Sequence, residues 1–333
     1  MKKFFIYTVL LVSLIGLAAG GYIYYQFERF LKQPVFTAES TAFEIKKGSS
    51  YGDFVQTVKS NKGNGSVFNW KLMARFNRLE NSIKAGEFEI DKPFTPLELV
   101  EYIANNNVKT YSITLIEGHN WAQIKQQLIN SPISNAVLDM DDEQLIDYLN
   151  IEADHLEGQF LPETYQFTKG DEDIDILLRA HQALLVTLNQ AWQERDKDLA
   201  IQSPYELLVL ASIIEKETAE HSERDVVSGV FHRRLQKGMR LQTDPTVIYG
   251  VGEAYAGDIT SAHLRTDTPY NTYTRKGLPP TPIAMPSAAS IYAAAHPNKG
   301  KELYFVANNK GGHRFSETYE QHQKAVQAYL KGQ

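Results

Sequence analysis

The chain has no cysteine among its 333 residues. This excludes disulfides, a thiolate nucleophile, cysteine-held metals and a lipid-acylated cysteine. It also lacks a long lysine or arginine block, and its formal net charge is −6. An acidic chain without a basic stretch argues against nucleic acid as its main partner. No HExxH pattern occurs, and Glu217, Glu220 and His221 have no second histidine close by. Neither a metal nor another cofactor is therefore expected. What remains is ordinary for a folded protein, 43% hydrophobic and 22% charged, and long enough for two domains.

Charge is missing altogether from FFIYTVLLVSLIGLAAGGYIYY, the 22 residues from Phe4 to Tyr25. That length spans a bilayer as a helix. Tyr22, Tyr24 and Tyr25 sit where an interfacial aromatic belt would lie, and Lys2 and Lys3 hold the N-terminus in the cytoplasm. A cleaved signal peptide is the other reading, since LAAG offers small residues, but the apolar run exceeds a typical signal core. The expectation is a single-pass anchor (residues 1–26) in the cytoplasmic (inner) membrane. The remainder would lie outside the cytoplasm, beginning with a tether over 27–40.

Beyond it, FEIKKGSSYGDFVQTV reads as a strand, a glycine turn and a helix. NWKLMARF is a second helix, AGEFEI a strand, and TPLELVEYI a helix opened by threonine and proline. A shift of 70 residues repeats this pattern. Phe43, Ile45, Gly48, Tyr51, Phe54 and Val58 match Ile113, Leu115, Gly118, Trp121, Ile124 and Leu128. We read a duplicated β-α-α-β-α unit. IKKGSSYGDFV resembles a LysM module, a small fold that grips N-acetylglucosamine-containing glycans, and a plain α+β support domain is the alternative.

Farther along, SPYELLVLASIIEKETAE predicts a helix over 203–220, started by a Ser-Pro-Tyr-Glu capping box. On it Glu217 continues the apolar row of Leu207, Leu210 and Ile214, whereas Glu215 lies over Ala211 and Ser212. Desolvation raises the pKa of a carboxyl held against hydrocarbon, as a general acid at neutral pH requires. A solvated helix end is the competing reading. The following loops are dense in Tyr, Asn, Thr, Gln and Arg, a composition suited to a carbohydrate cleft, and so long an irregular segment favours function. Candidate contacts are Gln242, Thr243, Asp244, Tyr249 and Asn271, with Glu223 or Arg224 bracing the site and Glu220 tuning Glu217 by charge repulsion.

The stretch ASIIEKETAEHSERDVVSGVFHRRLQKGMRLQTDPTVIYG resembles the YceG-like family of endolytic murein transglycosylases. ITLIEGHNW, EGQFLPETYQF, GLPPTPIAMPS and ELYFVANNKGGHRFSETYEQH agree with it. HRRL and PETY depart slightly from the forms NRL and PDTY common in related proteins. The resemblance implies an α+β protein: a transmembrane helix, a LysM-like β-α-α-β subdomain (41–108) and a larger α+β catalytic domain (109–333). It implies a lyase that cuts peptidoglycan strands internally between N-acetylmuramic acid and N-acetylglucosamine. A 1,6-anhydro end is left, and nascent strands are terminated near penicillin-binding proteins and the elongation machinery. The family's catalytic glutamate falls on Glu217. Two alternatives stand beside this: a membrane-tethered, non-catalytic glycan-binding scaffold, and a lysozyme-like hydrolase with Asp244 as second carboxylate.

Overall fold

The computed structural model describes residues 2–36, 41–136 and 139–332. The chain divides into two compact units, one reaching Tyr111 and including Phe167–Gly170, the other comprising the remainder. The first opens with helix α1 (Lys2–Lys32). Its side chains from Phe4 to Tyr25 are all exposed, as in a membrane span or signal sequence and unlike a core helix. The helix does not stop where the apolar run does. Phe27, Phe30 and Leu31 make a stripe at helical spacing that the unit's core covers, and Val35 and Phe36 join that core. Much of the segment expected as a tether over 27–40 is thus helix and packed chain, and residues 37–40 lie outside the described residues.

The same unit continues as β1 (Thr41–Ile45), α2 (Tyr51–Ser60), α3 (Val67–Asn77), β2 (Gly86–Ile90) and α4 (Pro96–Ala104). β1 and β2 pair antiparallel with Phe43 opposite Phe88. Capping boxes Ser50–Asp53 and Thr95–Glu98 start α2 and α4, and Pro96 takes the first turn of α4, where its missing N–H costs nothing. Phe54, Trp70 and Phe88 are fully buried between sheet and helices.

The duplication read at 70-residue spacing appears in space as β3 (Thr110–Thr114), α5 (Trp121–Ile129), α6 (Asp142–Leu149), β4 (Thr164–Thr168) and α7 (Asp173–Glu194), with β3 beside β4. Gly48 and Gly118 share a positive φ (83° and 73°), and Ser50 and Asn120 cap α2 and α5 alike. The matched apolar positions are buried in both copies. Geometry needed only at the turn, the cap and the inward face explains why little else repeats.

The second unit is built around α8 (Pro204–Glu217), buried on every side from Leu207 to Glu215. α7, α9 (Arg224–Gln236) and α12 (Ala288–Ala295) pack about it. α10 (Asp244–Val251) and the short α11 (Ser261–Arg265) interrupt the long loop. The antiparallel hairpin β5 (Tyr304–Ala307) and β6 (His313–Ser316) packs with α13 (Tyr319–Leu330). The protein is therefore mixed α+β, mostly helical, with small antiparallel sheets and one long apolar N-terminal helix.

Candidate active site

Glu217 is the last residue of α8. The helix ends three residues before the expected Glu220, because Thr218 turns extended and its hydroxyl accepts the Glu220 N–H (3.1 Å). A cavity of about 470 Å³ lies at this end. Glu217, Arg234, Gln242, Asp244, Tyr273 and His313 line it, with aromatic faces from Tyr304, Phe305 and Tyr319. Aromatic walls with a few convergent polar groups suit a sugar.

Three backbone features aim the polar groups. Gln242 takes a left-handed conformation (φ 51°), uncommon for a side chain other than glycine and worth attention beside a cavity. This turn precedes α10, whose first residues are Asp244 and Pro245. Thr243, at its N-cap, is buried and donates from Oγ1 to Glu217 Oε2 at 2.6 Å. Thr243 is itself held by Thr272, whose Oγ1 accepts its N–H (3.1 Å), and by Thr246, whose hydroxyl donates to its carbonyl (2.8 Å). Among the described residues no hydrogen bond engages Glu217 Oε1. One carboxyl oxygen is fixed and the other is available.

Burial pushes the Glu217 pKa up, and the Asp244 charge adds to it. The Thr243 hydrogen bond, His313 and Arg234 oppose the rise. Glu217 keeps some exposed surface, so the desolvated carboxyl stands at the cavity rather than in a sealed core. Asp244 accepts from the Tyr273 hydroxyl at 2.6 Å. Arg234 donates from Nε to the Leu303 carbonyl (2.6 Å) and from Nη1 to that of Leu241 (2.8 Å), with its guanidinium over Tyr304. It thus ties two cavity walls together.

The residues expected around Glu217 divide. Gln242, Thr243 and Asp244 are brought to it. Glu223 stands one layer out, where its carboxylate takes the His313 N–H (2.8 Å) and meets Nδ1 (2.7 Å). Glu220 does not tune Glu217. It is off the helix and exposed, and hydrogen bonds from Ser222 lower its own pKa. Arg224 is buried against Glu215 (3.1 Å) and His221, away from the cavity. Asn271 spends its amide internally: its Nδ2 serves the carbonyls of His263, Leu264 and Thr266, and Oδ1 accepts from Tyr273 N–H. Tyr249 donates to Glu157 Oε2 at 3.1 Å and packs on Tyr270. Glu157 also accepts the Trp121 N–H, and burial raises its pKa to about 7.

The distinction between Glu215 and Glu217 has a different basis from the apolar row. α8 is buried all round, and Glu215 is the more buried of the two. What separates them is compensation. Glu215 is matched by Arg224 and by the Ser287 N–H and hydroxyl (2.8 and 2.5 Å), so it is structural. Sequence reading did not single out Tyr273, Tyr304, His313 or Tyr319 as site residues. The dense aromatic and histidine content of YFVANNKGGHRFSETY was the available signal.

The profile of the YceG-like family matches residues 43–328. The endolytic murein transglycosylase of Bacillus subtilis (strain 168) is 28% identical over 331 residues, covering 93% of this chain and 90% of the relative. That of Streptococcus pneumoniae serotype 2 (strain D39) is 25% identical over 360 residues, covering 96% of this chain but 64% of the relative. A crystal structure of a YceG-like protein from Listeria monocytogenes superposes with a TM-score of 0.54 at 30% identity. The overlap takes in 86% of this chain and 99% of that one.

Proposed function

Because the chain belongs to the YceG-like family, we propose that it is an endolytic peptidoglycan lytic transglycosylase with Glu217 as its catalytic acid and base. One observation carries the assignment of Glu217. A carboxyl with a raised pKa, one oxygen fixed by Thr243 and the other unengaged by described residues, opens on an aromatic-walled cavity. Protonated Glu217 gives its proton to the glycosidic oxygen between N-acetylmuramic acid and N-acetylglucosamine. As the C1–O bond breaks, the muramic acid C6 hydroxyl attacks C1 and its proton passes to the Glu217 carboxylate. The acid is regenerated, a 1,6-anhydro end forms, and no water is consumed. A hydrolase commonly needs a second carboxylate to activate water or form a covalent bond. Here Asp244, held by Tyr273, acts electrostatically: its charge adds to the burial that raises the Glu217 pKa and stabilises the positive charge developing on the sugar ring.

In this reading α1 anchors the protein in the cytoplasmic membrane with its N-terminus inside, and the β-α-α-β part of the first unit grips glycan as LysM modules do. The substrate is the nascent strand, cut near the synthases that extend it. Product mass separates the alternatives, since hydrolysis adds a water and transglycosylation does not. Anhydro ends from uncrosslinked strands support the proposal, and reducing ends make the protein a hydrolase with Asp244 as second carboxylate. Intact strands that stay bound make it a scaffold.

A further inference from the structure

The first unit carries a cavity of its own, about 820 Å³ in volume. One wall is α1, through Tyr22, Ile23, Gln26 and Arg29. Lys59, in the last turn of α2, and Phe68, at the start of α3, stand on its other walls. Its position is set by α1. Tyr22 and Ile23 belong to the last turn of the apolar run, yet Phe30, five residues past that run, is already in the unit's core. Five helical residues rise about 7.5 Å. No slack chain separates apolar helix from folded unit, so where α1 spans a bilayer the cavity lies at headgroup height.

Its charge is one-signed. Arg29 and Lys59 line it and no acidic residue does. The adjacent acid, Glu28, is turned to Lys32 at 3.1 Å. The Arg29 side chain has no ion pair or hydrogen bond among the described residues, and that of Lys59 makes one, to the Gly63 carbonyl (3.2 Å). Two cations with donors to spare suit a phosphate. Tyr22, Ile23, Phe30 and Phe68 give it an apolar edge, with Phe68 59% exposed, and neutral polar side chains such as Gln26 and Asn64 complete the lining. A neutral glycan gives the cations no partner, and a soluble anion gives the Tyr22, Ile23 and Phe68 edge none. A phospholipid answers both, with its phosphate between Arg29 and Lys59 and the start of its acyl chains along the apolar edge.

We propose that this cavity binds the headgroup of an anionic phospholipid from the leaflet into which α1 emerges, fixing the first unit against the membrane surface. The proposal rests on the reading that α1 spans the membrane. The test uses the full chain in detergent, with native mass spectrometry scoring retained phosphatidylglycerol against phosphatidylcholine. The wild type is compared with the Arg29→Gln/Lys59→Gln variant. Preferential retention of phosphatidylglycerol is expected, weakened on the order of tenfold or more in the variant and undisturbed by millimolar inorganic phosphate. Equal retention of both lipids, or an unchanged variant, overturns the proposal, and displacement by phosphate overturns it in favour of a free-anion site. Both substituted side chains are exposed, and matching thermal unfolding of the two proteins verifies that the variant folds. Carbonate extraction of membranes reads the anchor separately. Release into the soluble fraction overturns the anchor and this proposal together. An integral chain without lipid preference overturns this proposal alone.

Discussion

A carboxyl becomes useful at neutral pH when its surroundings penalise its charge without cancelling the penalty, and the two glutamates near the end of α8 illustrate the difference. Glu215 is buried but matched by Arg224 and Ser287, whereas Glu217 is desolvated with one hydroxyl partner. The sign of the pH dependence follows. In the proposed mechanism the acid form does the first step, so kcat/KM should fall as pH rises through the raised Glu217 pKa. Thr243→Ala removes a hydrogen bond that favours the carboxylate. That pKa then moves higher and the alkaline limb shifts up in pH. The looser carboxyl costs about tenfold in rate, checked by a pH–rate profile. Glu157 provides a stability counterpart. Its pKa rises from 4.5 to about 7 on folding, so the folded state favours the proton. Stability from this group is present below about pH 4.5 and is lost as pH climbs to about 7, on the order of 3 kcal/mol in all. Glu157→Gln lacks this loss, so its Tm relative to wild type should improve steadily between pH 5 and 8.

The elements that position Glu217 were unequally legible. α8 announced itself through Ser203 and Pro204, which cap it as expected: Ser203 accepts the Glu206 N–H, although the Glu206 carboxylate reaches the Gln202 N–H instead of closing the box. Its C-terminus was misjudged because ETAE continues a helix by propensity while Thr218 bonds locally to Glu220. α12, AASIYAAA, was not anticipated, since its burial depends on the helices around it and not on its own amphipathic period. The 243–271 stretch shows a polar and aromatic composition in sequence but not the direction its side chains take. Asp244 lines the cavity and the buried Thr243 holds Glu217, whereas Asn271 and Tyr249 spend their polar atoms internally. Composition cannot sort these, because the sorting is done by contacts distant in sequence. The β5–β6 hairpin supplies one such contact. A Cβ at Gly312 would stand 2.5 Å from Glu223 Oε1. Gly312→Ala should therefore push Glu223 off His313 and lower kcat/KM by about tenfold with little change in helical circular dichroism.

At the scale of the whole molecule, the family match runs from 43 to 328 and so takes in parts of both units, the one that opens with the long apolar helix and the one that holds Glu217. The apolar N-terminal helix and the duplicated half were readable because an uncharged run and a repeated apolar pattern are recorded directly in sequence. If α1 serves only to localise the enzyme, the chain from Gln26 onward should leave the membrane fraction yet still cleave soluble strands. Fractionation and a strand-cleavage assay check the two parts. The central claim concerns Glu217, and it is tested most directly by counting 1,6-anhydro ends released from uncrosslinked nascent strands by the wild-type chain and by Glu217→Gln. With one carboxyl proposed as both acid and base, the account predicts anhydro ends from the wild type and a loss of at least about 10³-fold in the folded variant. Anhydro ends formed by Glu217→Gln at a rate near that of the wild type would contradict it.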